Sequence, residues 1–283
     1  MNGSISHSYE PQWWSGPVIG SCSGISVVSV TYNTQELIAR LLWSLYRFMR
    51  NDLRDVIIVD NGSSDGTHDL LKAMSAAGLC HVIHNDQNRY HGPALTQALS
   101  YLAEKYKDTQ PRPWIWILDS DCMIAREDAS TAMLNLASSR QVAVLGEPRW
   151  DQRHEEERIH GFSVLLDPSI VRHSDIGGFQ DGGDPVGEFG NSCRECGISL
   201  HSFPFTEAGY IIHRGRATLA GILKRREMEH PLFNWAKDHY EPHFQGVYGA
   251  CERYTALVIE VENAGGSSDA NSLIKACGVR NFI

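Results

Sequence analysis

Two hydrophobic periodicities alternate along the first part of the chain, and together they predict strands separated by helices. Stretches rich in apolar and β-branched residues lie at Ile25–Val30, Val56–Val59 and Trp114–Leu118, with the length and composition of buried strands. After the first stretch, apolar residues recur at helical spacing over residues 36–49. Residues 82–83 predict a short third strand. The alternation is typical of a mostly parallel α/β sheet flanked by helices.

Further helices are predicted where apolar residues lie three or four positions apart. One helix follows the second strand, and another opens at Gly92-Pro93, because proline is tolerated in the first turn of a helix. A third helix follows residue 128, and strands are predicted at 142–145 and 162–166. The apolar positions that mark these helices are Leu70, Leu71, Met74, Leu95, Leu99, Leu102, Ala129, Ala132, Met133 and Leu136.

Two segments of the second half follow neither periodicity. Residues 147–160 are rich in charged side chains and predict a loop. Residues 175–197 contain seven glycines among acidic residues, so no regular element is predicted there. Beyond His213 the pattern predicts mainly helices, and the tail from Gly265 is expected to be weakly ordered.

Length, composition and net charge limit the classes to which this protein can belong. A chain of 283 residues with 42% hydrophobic residues is long enough for a large α/β domain. The net charge of −9 argues against a nucleic-acid partner, which requires a basic face. No stretch approaches the roughly 18 to 20 apolar residues of a membrane span. Because a signal-peptide pattern is missing and the seven cysteines are scattered, we expect a cytoplasmic protein with reduced thiols.

Two carboxylates directly follow the strand predicted at Trp114–Leu118. Asp119 and Asp121 are spaced i, i+2, and side chains at this spacing point the same way in a strand. Ligands of open α/β sheets bind at the carboxyl ends of the strands. The pair therefore suits one hard cation, and such a cation would admit a phosphate-bearing ligand to an acidic protein. On spacing alone, solvated strand-end carboxylates are an equally good interpretation.

Taken together, the strand ends resemble glycosyltransferase family 2, the inverting enzymes of the GT-A fold, over about residues 25–215. The similarity rests on ordered motifs: VSVTYNT after the first strand, VIIVDNGSSDGT at the second, the segment 88–94, and LDSD at the fourth. It continues with GGF, an acidic residue followed by Arg194, and the late His213. Each motif alone is weak, and their order makes the resemblance specific.

The resemblance implies a metal-dependent transferase that moves a sugar from a nucleotide diphosphate sugar to an acceptor hydroxyl. Among such donors, the resemblance favours a UDP-sugar. The acceptor would be a saccharide, a lipid-linked saccharide or a small molecule. The implied fold is a Rossmann-like, mostly parallel sheet flanked by helices. Its implied division is an N-terminal arm at 1–24, a donor-binding half at 25–122, an acceptor-binding and catalytic half at 123–216, and a helical C-terminal extension at 217–283.

By the same resemblance, the strand ends line a nucleoside pocket in which Asp60 accepts a hydrogen bond from a base N–H and Gly92 lies close to the ribose. Mn²⁺ or Mg²⁺ would be held by Asp119, Asp121 and His213, with phosphate contact as the alternative role of His213. Arg214 or Arg216 would add a contact to phosphate. The donor-binding residues implied in full are Thr31, Tyr32, Asn33, Asp60, Asn61, Asn88, His91, Gly92, Asp119, Ser120 and Arg214.

A catalytic carboxylate is implied six residues before the arginine of the acidic motif. Counting back from Arg194 reaches Glu188, which would deprotonate the acceptor hydroxyl. The sequence departs from the family pattern here, since Gly190 stands where a second acid is expected. Asp181 and Asp184 therefore stay open as rival bases.

Two other functions stay open on the sequence. A sugar nucleotidyltransferase would need a glycine-rich, basic loop after the first strand, and VSVTYNTQE has neither glycine nor lysine. A catalytically silent nucleotide-sugar-binding protein is kept open by the unusual Gly187-Glu188 pair. The sequence does not decide whether the chain forms a homo-oligomer.

Two further motifs have simpler interpretations. Cys193 and Cys196 form a lone CxxC, and because no second cysteine pair lies at zinc-site spacing, we expect plain packing. The basic run 224–226 is followed by glutamates, so a solvated helix face is favoured over a membrane contact.

Overall fold

The computed structural model describes residues 24–151, 156–170, 179 and 185–215, with four isolated positions further on (228, 229, 234 and 237). Several sequence-based predictions fall outside the described residues. These are the arm before residue 24, Arg216, the helical extension at 217–283, the basic run 224–226, and the rival bases Asp181 and Asp184.

The first half alternates strands and helices as the hydrophobic pattern predicts. Its elements are β1 (Ile25–Thr31), α1 (Gln35–Phe48), β2 (Leu53–Asp60), α2 (Thr67–Ala76), β3 (His81–His84), α3 (His91–Lys105) and β4 (Trp114–Leu118). The second half contains β5 (Cys122–Ile124), α4 (Ala129–Arg140), β6 (Val144–Asp151), β7 (Glu156–Leu166), α5 (Pro185–Glu195), β8 (Leu200–Ser202) and β9 (Ile211–His213).

One seven-stranded sheet carries the fold, with strand order β3-β2-β1-β4-β7-β6-β8. The strands β3, β2, β1 and β4 are mutually parallel, whereas β7 is antiparallel to both β4 and β6. A separate antiparallel pair joins β5 to β9. Because the four parallel strands share one direction, their carboxyl ends lie along the same edge of the sheet.

The core forms two hydrophobic layers, one on each face of the sheet. Neighbouring strand residues enter opposite layers: Val27 packs with α1 and α2, and Val28 packs with α3. Side chains alternate across a strand, so a strand that is apolar at every position must be covered on both faces. Trp116 is fully buried at the centre of β4. The mixed α/β sheet flanked by helices predicted from the sequence is confirmed.

The prediction of a loop at 147–160 is wrong, because most of this segment forms the hairpin of β6 and β7. Charged residues are placed in a strand when their partners allow burial. Glu147 is 8% exposed and accepts hydrogen bonds from the backbone N–H and Oγ1 of Thr206, at 3.0 and 2.6 Å. Arg158 is equally buried. These partners lie far away in the sequence, so the local charge pattern does not reveal them.

The segment 175–197 also contains a helix that the sequence did not predict. Helix α5 begins at Pro185 and buries Val186, Phe189 and Cys193, at helical spacing. Glycines at 187 and 190 obscured this spacing in the sequence. Burial raises the pKa of the Cys193 thiol to about 12, and this cysteine packs in the hydrophobic layer under α3 and α5. The packing interpretation of the CxxC motif agrees with this position.

A polar network far from the carboxyl edge ties β1, β2 and α3 together. Asp55 accepts hydrogen bonds from Ser26 Oγ at 3.1 Å, from the hydroxyl of Tyr106 and from Nζ of Lys105. Burial alone would raise the pKa of Asp55, but the bonds from Lys105, Tyr106 and Ser26 outweigh burial and lower it. The network therefore stabilises the ionised carboxylate in the folded protein.

We expect Asp55→Asn to lower the free energy of unfolding at neutral pH by about 1 to 3 kcal/mol, because buried donors lose a charged acceptor. A carboxylate whose pKa is lowered on folding stabilises the protein above its unfolded pKa, and this contribution disappears as the pH falls through the folded pKa. The difference between variant and wild type should therefore shrink below about pH 4. Urea unfolding of both proteins, from neutral pH to below about pH 4, measures this difference in the free energy of unfolding. Asp108→Asn, at an exposed position after α3, is the matched control.

No helix in the described part of the chain is long and apolar enough to cross a bilayer. The cytoplasmic location and the oligomeric state stay predictions.

Candidate functional site

Polar residues end all four parallel strands at the carboxyl edge. Thr31 ends β1, Asp60 ends β2, His84 ends β3, and Asp119 directly follows β4. The register pairs Thr31 with Asp60 and Asp60 with His84. One polar residue from each parallel strand therefore lies along the carboxyl edge, in the strand order β3, β2, β1, β4.

The carboxylate pair after β4 meets His213 from β9. His213 Nε2 lies 3.3 Å from Asp121 Oδ1 and 4.0 Å from Asp119 Oδ2. The pairing of β5 with β9 sets Cys122 opposite His213, and the Arg214 N–H donates to the backbone oxygen of Asp121. The strand pairing thus brings the metal residues implied by the family resemblance into one group.

Strand alternation does not cause this convergence, contrary to the sequence-based expectation. β4 ends at Leu118, and the next residues form a turn in which the Cys122 N–H donates to the backbone oxygen of Asp119 at 3.1 Å. Asp121 is 4% exposed and faces His213, while the side chain of Asp119 is 32% exposed. The turn, rather than the pleat of a strand, aims both carboxylates.

One oxygen of this group has no hydrogen bond among the described residues. Asp119 Oδ1 is buried and unpartnered, and its nearest cationic candidate is His91 Nε2 at 3.8 Å, which is too long for a hydrogen bond. Burial raises the pKa of Asp119, His91 lowers it, and Asp121 adds to the rise. A buried carboxylate oxygen without a partner is costly unless a cation neutralises it.

His213 is held in place by its neighbours. Its ring stacks on Phe162 with centroids 4.1 Å apart. Burial alone would lower the pKa of His213, but the hydrogen bond and charge of Asp121, with Asp119 and Glu147, raise it above the ordinary value. The negative charge around this imidazole therefore attracts cations, either a proton or a metal ion.

Among the described residues around His213, the side chains that lie close enough together to hold one metal ion are those of Asp121, Cys122 and His213, and Asp119 is not part of this set. The sequence did not indicate Cys122. Its thiol donates to the backbone oxygen of Phe162 at 3.5 Å. Burial and the charges of Asp121 and Asp119 raise the pKa of this thiol well above its ordinary value. The oxygen and nitrogen donors near this point are two carboxylates, Asp119 and Asp121, and the imidazole of His213, a set that suits Mn²⁺ and, less well, Mg²⁺.

The loop after β1 connects the loop after β2 with the turn after β4. Thr31 and Thr34 share a hydrogen bond at 2.6 Å, and Thr34 Oγ1 donates to Ser120 Oγ at 3.2 Å, next to the carboxylate pair. Asn33 has φ +53°, a conformation that asparagine tolerates, and its Oδ1 accepts from the Ser64 N–H at 2.6 Å. This network fixes the loop that contains Tyr32.

Asp60 and Asn61, which the family resemblance implies in the nucleoside pocket, make different hydrogen bonds in the structure. Asp60 is 1% exposed, and its Oδ1 accepts from the Ser63 N–H at 3.1 Å. Asn61 bonds Asn88 and Tyr90 through its Nδ2, at 3.1 and 3.0 Å. Asn61 therefore holds the loop before α3, and its direct contact with a donor stays a prediction.

His91 and Gly92 form the first turn of α3. The residue before this helix, Tyr90, has φ +64°, and no side chain caps the helix end. The first N–H groups of an uncapped helix attract anions. His91 and Gly92 therefore lie at a helix end that favours anions such as phosphate, and His91 lies close to Asp119.

Glu188 lies in the first turn of α5 with an exposed side chain. Its helix is anchored by the stacking of Phe189 on Phe179, with centroids 4.5 Å apart, and Thr96 of α3 donates to the Phe179 backbone oxygen at 3.1 Å. Helix α5 therefore packs beside α3, which begins at the carboxyl edge. The rivals Asp181 and Asp184 fall outside the described residues.

Two histidines that the sequence did not single out flank Asp60. His84 Nδ1 lies 3.3 Å and His68 Nδ1 3.5 Å from Asp60 Oδ2. One feature of the sequence could have indicated His84: it ends the third strand, just as Asp60 ends the second.

Comparisons with known proteins agree with this architecture. The family model described as Glycosyl transferase family 2 matches residues 26–187, more than half of the 283 residues. No curated protein shows a significant sequence match. The structure is similar to the mannosyltransferase PcManGT from Pyrobaculum calidifontis in complex with GDP-Man and Mn²⁺, with 18% identity, a TM-score of 0.50, and coverage of 94% of this chain and 84% of that chain.

Two S. aureus structures are also similar. TarS has 18% identity and a TM-score of 0.47, with 63% of this chain and 35% of that chain covered. TarS 1-349 in complex with UDP-GlcNAc has 14% identity and a TM-score of 0.47, with 90% and 87% covered.

Proposed function

Because the chain belongs to glycosyltransferase family 2, we propose that it transfers a sugar from a nucleotide diphosphate sugar to an acceptor hydroxyl, with inversion and with a bound divalent cation. The enzyme is a glycosyltransferase with the GT-A fold. The observation that carries the finer proposal is the convergence of Asp119, Asp121 and His213 beside a buried Asp119 oxygen that has no hydrogen bond within the described part of the chain.

The proposed cation is Mn²⁺, held by Asp119, Asp121 and His213, with Mg²⁺ as the alternative. When bound, it would act as a Lewis acid that offsets the negative charge of the departing nucleoside diphosphate. His91 and the first N–H groups of α3 would contact the diphosphate, since an uncapped helix N-terminus favours anions. Arg214, next to His213, would add a charge-assisted contact to phosphate.

The proposed base pocket uses Asp60 Oδ2. The Ser63 N–H donates to Oδ1 and His84 Nδ1 lies 3.3 Å from Oδ2, and Oδ2 is the oxygen proposed to accept a hydrogen bond from a ring N–H as well. Tyr32 would cover a face of the base or ribose, and Asn33 keeps its loop in place through Ser64. UDP is the first candidate by family resemblance. GDP is the second, because the similar mannosyltransferase is a complex with GDP-Man.

The proposed base is Glu188. Its carboxylate would take the proton of the acceptor hydroxyl as the oxygen attacks the anomeric carbon, while the bond to the diphosphate breaks on the opposite side. A single displacement of this kind inverts the anomeric configuration. The position on α5, packed beside α3, supports a role on the acceptor side of the donor.

Calorimetric titration of UDP, GDP and dTDP, each with and without Mn²⁺, tests this proposal. We expect one nucleotide to bind in a Mn²⁺-dependent manner. Asp60→Asn should weaken that binding by about 10- to 100-fold, because a hydrogen bond to a charged acceptor is lost. Asp86→Asn, an exposed carboxylate after β3, is the control and should bind like the wild type. Failure of all three nucleotides to bind would overturn the proposed donor.

A further inference from the structure

A second group of metal-binding side chains lies at the carboxyl edge, around Asp60 instead of Asp121. Its members come from three elements: Asp60 ends β2, His84 ends β3, and His68 is the second residue of α2. The register pairs Asp60 directly with His84. Ordered elements thus preposition one carboxylate and two imidazoles.

The distances in this group suit metal ligands, although His84 Nδ1 also lies within hydrogen-bond range of Asp60 Oδ2. The two Nδ1 atoms lie 3.3 and 3.5 Å from the same oxygen, Asp60 Oδ2. A charge-assisted N–H···O bond is shorter, about 2.7 to 2.9 Å. Bonds of about 2.0 to 2.2 Å at tetrahedral angles separate neighbouring ligand atoms by about 3.3 to 3.5 Å.

The surroundings orient the carboxylate and keep the rings close. The Ser63 N–H donates to Asp60 Oδ1, and hydrogen bonds of this kind fix the orientation of a ligating carboxylate. The rings of His68 and His84 touch, with centroids 4.2 Å apart. Asp60 is 2% exposed at its side chain, whereas His68 is 50% and His84 36% exposed. A metal ion can therefore enter from the histidine side.

We infer that Asp60, His68 and His84 form a site for Zn²⁺ or a similar borderline divalent ion, distinct from the site at Asp121. Two imidazoles and one carboxylate suit zinc, whereas the two carboxylates of the other group suit harder cations. Three protein ligands leave a fourth position for water or another small ligand.

This site has a consequence that rests on the proposed function. If Asp60 Oδ2 accepts a hydrogen bond from the nucleobase, Zn²⁺ and the nucleotide compete for the same oxygen. Zinc would then inhibit donor binding at Asp60, even when the site at Asp121 contains Mn²⁺.

Zinc titration followed by calorimetry tests the site in an Asp121→Ala background, which removes the other metal group. Adding either His68→Gln or His84→Gln should weaken one Zn²⁺ event by at least about 100-fold, since changes to residues that only support a ligand already cost about 10- to 100-fold. His81→Gln, an exposed histidine on the same strand, is the matched control. Co²⁺ should give the intense visible bands of tetrahedral coordination in the control and lose them in both test variants.

Equal zinc affinity in all these proteins would overturn the inference, and so would Co²⁺ bands that survive in both histidine variants. Thermal unfolding identifies a variant that has misfolded. Because His68 and His84 lie on different elements, loss of zinc binding in both variants points to the two side chains and not to local unfolding of one element. With Mn²⁺ in excess, added Zn²⁺ should weaken nucleotide binding in the wild type but not in His84→Gln. If no nucleotide binds at all, the proposed function fails, while the zinc titration still decides the site.

Discussion

Asp121→Ala should reduce sugar transfer by at least about 1,000-fold, because the reaction depends strongly on electrostatic stabilisation of the leaving diphosphate. Asp121 is buried and lies 3.3 Å from His213. Its removal deletes a proposed metal ligand and leaves His213 with the carboxylate of Asp119, at 4.0 Å. Release of nucleoside diphosphate from the donor measures transfer, and calorimetry measures Mn²⁺-dependent nucleotide binding.

The control for this variant is Asp108→Ala, which removes an exposed carboxylate at the opposite end of α3 from His91. It should retain both transfer and nucleotide binding. His213→Gln provides a second, independent removal of a ligand, and it should also weaken the Mn²⁺-dependent binding. Full activity in Asp121→Ala with folded protein would contradict the assignment of this group as the metal site.

Glu188→Gln should lower kcat by about 100- to 10,000-fold, because the acceptor hydroxyl loses the group proposed to take its proton. Donor binding should be unchanged, since Glu188 lies on α5 and the proposed donor residues lie on the strand ends and α3. Glutamine keeps the shape of the side chain but accepts no proton. Single-turnover transfer, or donor hydrolysis where no acceptor is known, measures the rate, and calorimetry measures the affinity for the donor nucleotide.

Glu195→Gln tests whether a loss of activity is specific. This residue ends the same helix, lies away from the first turn that contains Glu188, and carries the same charge. Its variant should behave like the wild type. If Glu188→Gln keeps its rate, the base lies elsewhere, and Asp181 and Asp184 become the residues to replace.

The central strands were predictable because their burial leaves a local record in the sequence. β1 and β4 are buried along their whole length and β2 over its second half, and most of the buried positions are apolar. The residues that follow these strands could also be predicted, since the ends of parallel strands share one edge. The pair Asp119 and Asp121 was identified in this way, whereas Asp60 was identified through the family resemblance.

Other features depend on partners that are distant in the chain. Glu147 enters a buried strand because Thr206 supplies its hydrogen bonds. Helix α5 forms at a glycine-rich segment because Val186, Phe189 and Cys193 meet the layer under α3. Local periodicity does not record either fact, so the sequence predicted a loop and an irregular segment instead.

Burial and motif order are properties of contiguous segments, so the strand ends and the residue types at the carboxyl edge follow from the amino-acid sequence. Which of these residues come into contact depends on the folding of the whole chain. The pairing of β5 with β9 brings His213 to Asp121, and the pairing of β2 with β3 brings His84 to Asp60. Contacts between distant segments arise from strand register and helix packing, which no local pattern specifies.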